Sequence, residues 1–219
     1  MPVKVRDLKF IGEWGESLEK QVIAYEQEPF REGEIVFYGS SKFTRWKNTK
    51  YGNPILRDEI VGKSGAPCCI NRGFGSSNAE HQLYYYHRMI RPLKPNVLVY
   101  CCHGNHAMYG YSVEECWELG QRVIAYAMND FPELRVYIQS AHPGIGISNE
   151  EITERRRFNS YVREFAETTP GCFYVDVFER QELWDPGLFV SDNVHFNYDG
   201  YKLYGNVWRE ALKNELEKY

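Results

Sequence analysis

The chain has 219 residues, short for two typical domains, and its 43% apolar content is enough to fill one substantial core. Its 26 basic and 30 acidic residues leave a formal charge of -4 and are scattered without long like-charged blocks, so the electrostatic footprint of a nucleic-acid partner is missing. No apolar run approaches the roughly 20 residues of a membrane helix, and Met1 to Lys9 lacks the charged-then-apolar order of a secretory leader, so we expect no membrane insertion and a cytoplasmic protein.

In chain order, the first predicted element is a helix over Leu18 to Gln27, inside an N-terminal extension (residues 1–33) that packs on the core. Ile35 to Tyr38 reads as a short apolar strand ended by Gly39, and Cys68 to Asn71 as a second, stopped at Gly73. A helix over Ala79 to Met89 follows. The clearest strand is Asn96 to Cys102, an unbroken apolar run launched by Lys94-Pro95 and ended by His103-Gly104. The helix Val113 to Asn129 gathers Val113, Trp117, Val123 and Ala127 on one face, which should lie on a sheet. After a strand at Arg135 to Gln139, Ser148 and Asn149 precede Glu150-Glu151, an N-cap with acids in the first turn of a helix over Glu150 to Glu167. A strand at Phe173 to Val175 and a helix over Tyr198 to Lys218 complete the series. This alternation predicts a single α/β domain, a flavodoxin-like three-layer α/β/α sandwich around an about five-stranded parallel sheet.

The six cysteines include the adjacent pairs Cys68-Cys69 and Cys101-Cys102 within apolar runs, which predicts buried, reduced thiols rather than disulfides. No C-x-x-C spacing suggests a metal, and His103 and His106, three apart on a strand-end loop, are not forced to converge. Gly62-Lys63-Ser64 lacks the earlier glycine of a phosphate loop, since Arg57 stands there. Neither metal nor organic cofactor is expected. Trp46 reads as a packing residue, and Tyr84-Tyr85-Tyr86 cannot all face one way on a helix.

Ligands of open α/β sheets bind beyond the carboxyl ends of the strands, so the residues just after each predicted strand are the place to look for chemistry. Ester hydrolysis needs a nucleophile, a base to take its proton, a group to hold the base's tautomer and donors for the oxyanion. Ser41, on a strand-to-helix turn, supplies an exposed hydroxyl near a helix N-terminus. His195 supplies the imidazole, and Asp192, three residues earlier, can orient one ring nitrogen while the other faces the serine. Asn105 offers a side-chain amide, and the turn Gly73 to Ser76 offers backbone N–H groups.

Together these segments resemble the SGNH, or GDSL-like, hydrolase family, in particular a branch whose first block reads G-S-S-x-x-x-x-W. Here that block is Gly39-Ser40-Ser41-Lys42-Phe43-Thr44-Arg45-Trp46; the second is Ile70-Asn71-Arg72-Gly73-Phe74-Gly75-Ser76, the third centres on Gly104-Asn105, and the last runs from Asp192 to Tyr201 as D-x-x-H-x-N-x-x-G-Y. The blocks occur in family order and span residues 39 to 201. The resemblance implies a serine esterase or acylhydrolase with Ser41, not Ser40, as nucleophile, a Ser41-His195-Asp192 triad, and an oxyanion hole of the Ser41 N–H, the Ser76 N–H and the Asn105 side chain. It implies a small-molecule ester as substrate, with O-acetylated carbohydrate and short-chain lipid esters as candidates. Two departures stand out. Ser76 occupies the place of the family's second-block glycine, losing that residue's conformational freedom, and in the third block the glycine sits beside the asparagine, with His103 and His106 where the family has glycine and aspartate. Gly75, His103, His106 and His142 are accordingly candidate pocket residues, with Thr49 to Ala66 and Ile145 to Asn149 as candidate walls. The rivals are a non-catalytic ligand-binding protein with a decayed oxyanion hole and a histidine-bound metallohydrolase; self-association into a homo-oligomer is open.

Overall fold

The computed structural model describes residues 12, 14–47, 50 and 52–219; Met1 to Lys9 and Thr49 lie outside the described residues. Five strands, β1 (Ile35–Gly39), β2 (Cys69–Gly73), β3 (Val97–Tyr100), β4 (Arg135–Gln139) and β5 (Cys172–Val175), form one sheet in the order β2-β1-β3-β4-β5, with every neighbouring pair parallel. This is the flavodoxin-like order, in which the direction of winding reverses between β1 and β3 and leaves a crevice at their carboxyl ends.

A strand's side chains alternate between faces, and here both faces are dry. Val36, Tyr38, Leu98 and Tyr100 enter one core with α1 (Gly15–Glu26), α4 (Ala79–Met89), α5 (Val113–Asp130) and α6 (Asn149–Thr168). Ile35, Phe37, Val97 and Val99 enter the other with α2 (Ser41–Thr44), α3 (Leu56–Glu59) and α7 (Tyr198–Ala211), after which Leu212 separates the single-turn α8 (Lys213–Leu216). The result is three layers. Trp46 is fully buried, with ring centroids 6.1 Å from Phe37, 5.7 Å from Tyr201 and 5.1 Å from Tyr204. All six cysteines are buried and free. Tyr84 is exposed while Tyr85 and Tyr86 are buried.

Several boundaries differ from the sequence reading by a few residues, and those at the ends of β1, β2, β3 and the last helix bear on the site and the core. Gly39 and Gly73, expected as strand terminators, are the last rung of the β1–β2 ladder. Gly73 is small because α2 crosses it: a Cβ there would lie 2.4 Å from the Phe43 Cβ and 2.6 Å from the Thr44 nitrogen. β3 ends at Tyr100 rather than Cys102, although the Cys101 N–H still donates to the Tyr38 carbonyl at 3.0 Å. The final helix breaks at Leu212, and Glu215 on the last turn reaches the guanidinium of Arg135 at 2.6 Å and the hydroxyl of Tyr137 at 3.1 Å. Among the described residues, no helix is long and apolar enough to cross a membrane.

Candidate active site

β1 delivers the chain to the crevice. Ser40 is the N-cap residue of α2 and Ser41 its first helical residue, so the Ser41 N–H has no acceptor within the helix and faces outward with the helix's positive end. The late loop brings the imidazole to it. Asp192 folds that loop into an Asx turn, its Oδ1 accepting the backbone N–H groups of Val194 and His195, each at 2.9 Å. The Val190 N–H bonds the His195 carbonyl at 2.9 Å, and the Ile145 N–H bonds the Asn193 carbonyl at 3.0 Å. With the loop held, Asp192 Oδ2 lies 2.8 Å from His195 Nδ1, and His195 Nε2 lies 2.7 Å from Ser41 Oγ. This hydrogen-bonded line joins residues 154 apart in sequence.

The charges around that line set its protonation. Burial, then the neighbouring Lys42 ammonium, push His195 down to about 4 against the opposing pull of Asp192, so at neutral pH the imidazole is uncharged and can accept a proton at Nε2. Burial would raise Asp192, but the His195 and Val194 N–H groups and the His195 ring outweigh it and hold the carboxyl well below the usual carboxylate range. Arg45, one turn beyond Ser41, places its guanidinium 3.1 Å from the same Oδ2. Lys42 is buried, donates to the Val194 carbonyl, and is brought down by burial to about 7. Such a line can move a proton from a serine hydroxyl to an imidazole whose other nitrogen is fixed by a carboxylate.

Of the expected oxyanion donors, Asn105 is tied to Ser40, the residue before Ser41, and Ser76 lies in the turn after β2. Ser76 has φ +70°, the left-handed region that glycine adopts freely, so serine takes up the glycine conformation at this place. Its carbonyl accepts from the Tyr109 hydroxyl at 2.8 Å. The Asn105 amide donates to Ser40 Oγ and to the Ser77 carbonyl, both at 2.8 Å, which occupies both of its N–H groups. Gly75 donates its N–H to Gln21 at 2.9 Å and, with Ser76, Thr44 and Trp14, borders an open cavity of about 940 Å³.

A model of the GDSL-like lipase/acylhydrolase family matches residues 38–203, most of the chain, including Ser41, Ser76, Asn105, Asp192 and His195. The chain belongs to this family. Among solved structures it is similar to a lipase/acylhydrolase from Enterococcus faecalis (17% identity, 84% of this chain and 96% of that one, TM-score 0.67). It is also similar to an acetyl xylan esterase (17%, 81% and 98%, TM-score 0.67) and a GDSL-like lipase from Bacteroides thetaiotaomicron (15%, 91% and 97%, TM-score 0.65). At such identities the likeness is one of fold. No curated protein matches the chain.

The three candidate pocket histidines of this GDSL-like chain, His103, His106 and His142, are buried, and burial lowers all three. His103 packs against His106 and Phe158, with ring centroids 4.7 Å apart in each case. Neither ring nitrogen of His106 has a hydrogen-bond partner. His142 stacks on Phe196 at 4.5 Å, keeps Nδ1 2.8 Å from the Pro143 carbonyl and leaves Nε2 without a partner. Among the described residues, no group of three or more His, Cys, Asp or Glu side chains is arranged to hold a metal ion. Sequence reasoning missed Lys42, Arg45 and Gln21. Only Arg45 left a trace, four residues after Ser41, and the other two act on partners far along the chain.

Proposed function

We propose that the protein is a carboxylic ester hydrolase that works through an acyl-enzyme on Ser41, with His195 as base and acid and Asp192 as its orienting carboxylate. The observation that carries this reading is the continuous line of two hydrogen bonds, 2.7 Å and 2.8 Å, from the serine hydroxyl through the imidazole to the carboxylate. Ser41 Oγ attacks the ester carbonyl carbon as its proton passes to His195 Nε2. The negative charge gathers on the former carbonyl oxygen, facing the Ser41 and Ser76 N–H groups and the Asn105 amide, which exchanges its bond to Ser40 for one to the oxyanion. The imidazolium then gives its proton to the leaving alkoxide. Water, deprotonated by the same nitrogen, attacks the acyl-enzyme and releases the acid and the serine.

Small acyl esters are the substrates this reading favours, with O-acetylated carbohydrates and short-chain lipid esters as the two classes to compare; an acetyl xylan esterase shares the fold. Ser41→Ala should lower hydrolysis of p-nitrophenyl acetate by at least about a thousandfold while leaving the melting temperature unchanged. Undiminished turnover in that variant would rule the reading out. The engagement of both Asn105 N–H groups favours a second reading, a ligand-binding protein with an impaired oxyanion hole. A fluorophosphonate separates the two, because an active triad is modified at Ser41 and an inert one is not.

A further inference from the structure

The family match begins at residue 38, beyond α1, yet α1 reaches the crevice. Its Gln21 side chain grips the peptide of Gly75 from both sides. Oε1 accepts the Gly75 N–H at 2.9 Å, and Nε2 donates to the Gly75 carbonyl at 3.4 Å and to the Ser17 carbonyl of its own helix at 3.3 Å. One turn further along α1, the Tyr25 hydroxyl donates to the Gly73 carbonyl.

Every other backbone group of this loop that could compete is also engaged. The Gly73 N–H bonds Asn71 Oδ1 at 2.9 Å, the Phe74 N–H bonds the Gly39 carbonyl at 3.0 Å, and the Ser77 N–H bonds the Phe74 carbonyl at 3.4 Å. Among the described residues, the Ser76 N–H is the one backbone donor from Gly73 to Asn78 without a partner. A serine in the left-handed region costs about 1 kcal/mol or more and holds that conformation only where its surroundings impose it. The Gly75 carbonyl and the Ser76 N–H belong to one planar peptide group, so the bond from Gln21 Nε2 to that carbonyl restrains the direction in which the Ser76 N–H points, while the bond to the Gly75 N–H holds the peptide before it.

We propose that Gln21 is a positioning residue for catalysis, an amide clamp from α1 that aims the Ser76 N–H at the oxyanion of the proposed ester hydrolysis. This rests on the triad reading above. The same clamp lets serine stand where the family has glycine, because the amide bonds supply the conformational restraint.

The test compares wild type, Gln21→Met, which keeps the length and loses both bonds, and Gln21→Glu, which keeps the acceptor for the Gly75 N–H. With p-nitrophenyl acetate, Gln21→Met should lower kcat at least tenfold with KM within twofold, and slow fluorophosphonate labelling of Ser41 by a similar factor. Its melting temperature and the fraction folded at the assay temperature should match wild type, and Gln21→Glu, which restores the bond to the Gly75 N–H but not the one to the carbonyl, should fall between Gln21→Met and wild type. An unchanged kcat in Gln21→Met, or a loss that follows the fraction folded, overturns the clamp while labelled, active wild type leaves the triad standing. A wild type that neither turns over nor labels overturns both.

Discussion

Lys42 follows the proposed nucleophile with a buried ammonium whose recorded partner is a carbonyl, that of Val194, rather than a carboxylate. A positive charge there disfavours a second one on His195, as the Arg45 guanidinium also does, against the opposing pull of Asp192. Protonated imidazole cannot act as base, so activity should fall on the acid side as pH drops through about 4. Burial depresses the histidine most and Lys42 next, so removing the ammonium in Lys42→Met should move the acid limb of the kcat/KM profile upward. A limb that stays in place would show that burial alone sets it. Ser76→Gly removes the left-handed penalty and should stabilise the fold by about 1 kcal/mol in urea titration. The proposed triad could be read because Ser41 follows the first strand and Asp192 and His195 stand three apart, a spacing that lets the carboxylate reach the ring. Lys42 and Gln21 were not, because their partners Val194 and Gly75 lie 152 and 54 residues away.

At the level of elements, the crevice depends on how closely α2 rides on β2. Gly73→Ala sets a methyl group into the Phe43 side chain and the Thr44 backbone, so α2 must shift. The expected cost is about 2 kcal/mol or more in chemical denaturation, with activity falling further than stability, since Ser41 moves with the helix. The caps behave separately: Ser148 accepts the Glu151 N–H at 3.2 Å while Glu151 bonds the Ser148 N–H at 2.9 Å, so Ser148→Ala should cost about 1 kcal/mol without changing kcat. The five strands and the long helices could be read from periodicity and from Gly and Pro punctuation. α2 and α3, four residues each, are shorter than one period of any pattern and owe their form to the core they touch.

For the whole molecule, four histidines, at 103, 106, 142 and 195, are pushed down mainly by burial. The unfolded chain takes up protons near 6.5 that the folded one refuses, so stability is fully present above that value and declines as pH falls below it. Urea midpoints measured from pH 7.5 to 4.5 should drop steadily below about 6.5; a flat profile would mean the rings take up protons without cost. Periodicity alone does not record which parallel strands are neighbours, so the expectation of a flavodoxin-like fold went beyond it; the order β2-β1-β3-β4-β5 agrees with that expectation.

The proposed nucleophile is Ser41 and its proposed base His195, and the second arrives on a loop outside the sheet that leads into α7. In the proposed reaction a nascent polypeptide stays inert until His195 has been made. Cut between β5 and that loop, the protein would form a split enzyme, its turnover a direct signal that two separately expressed fragments have found each other.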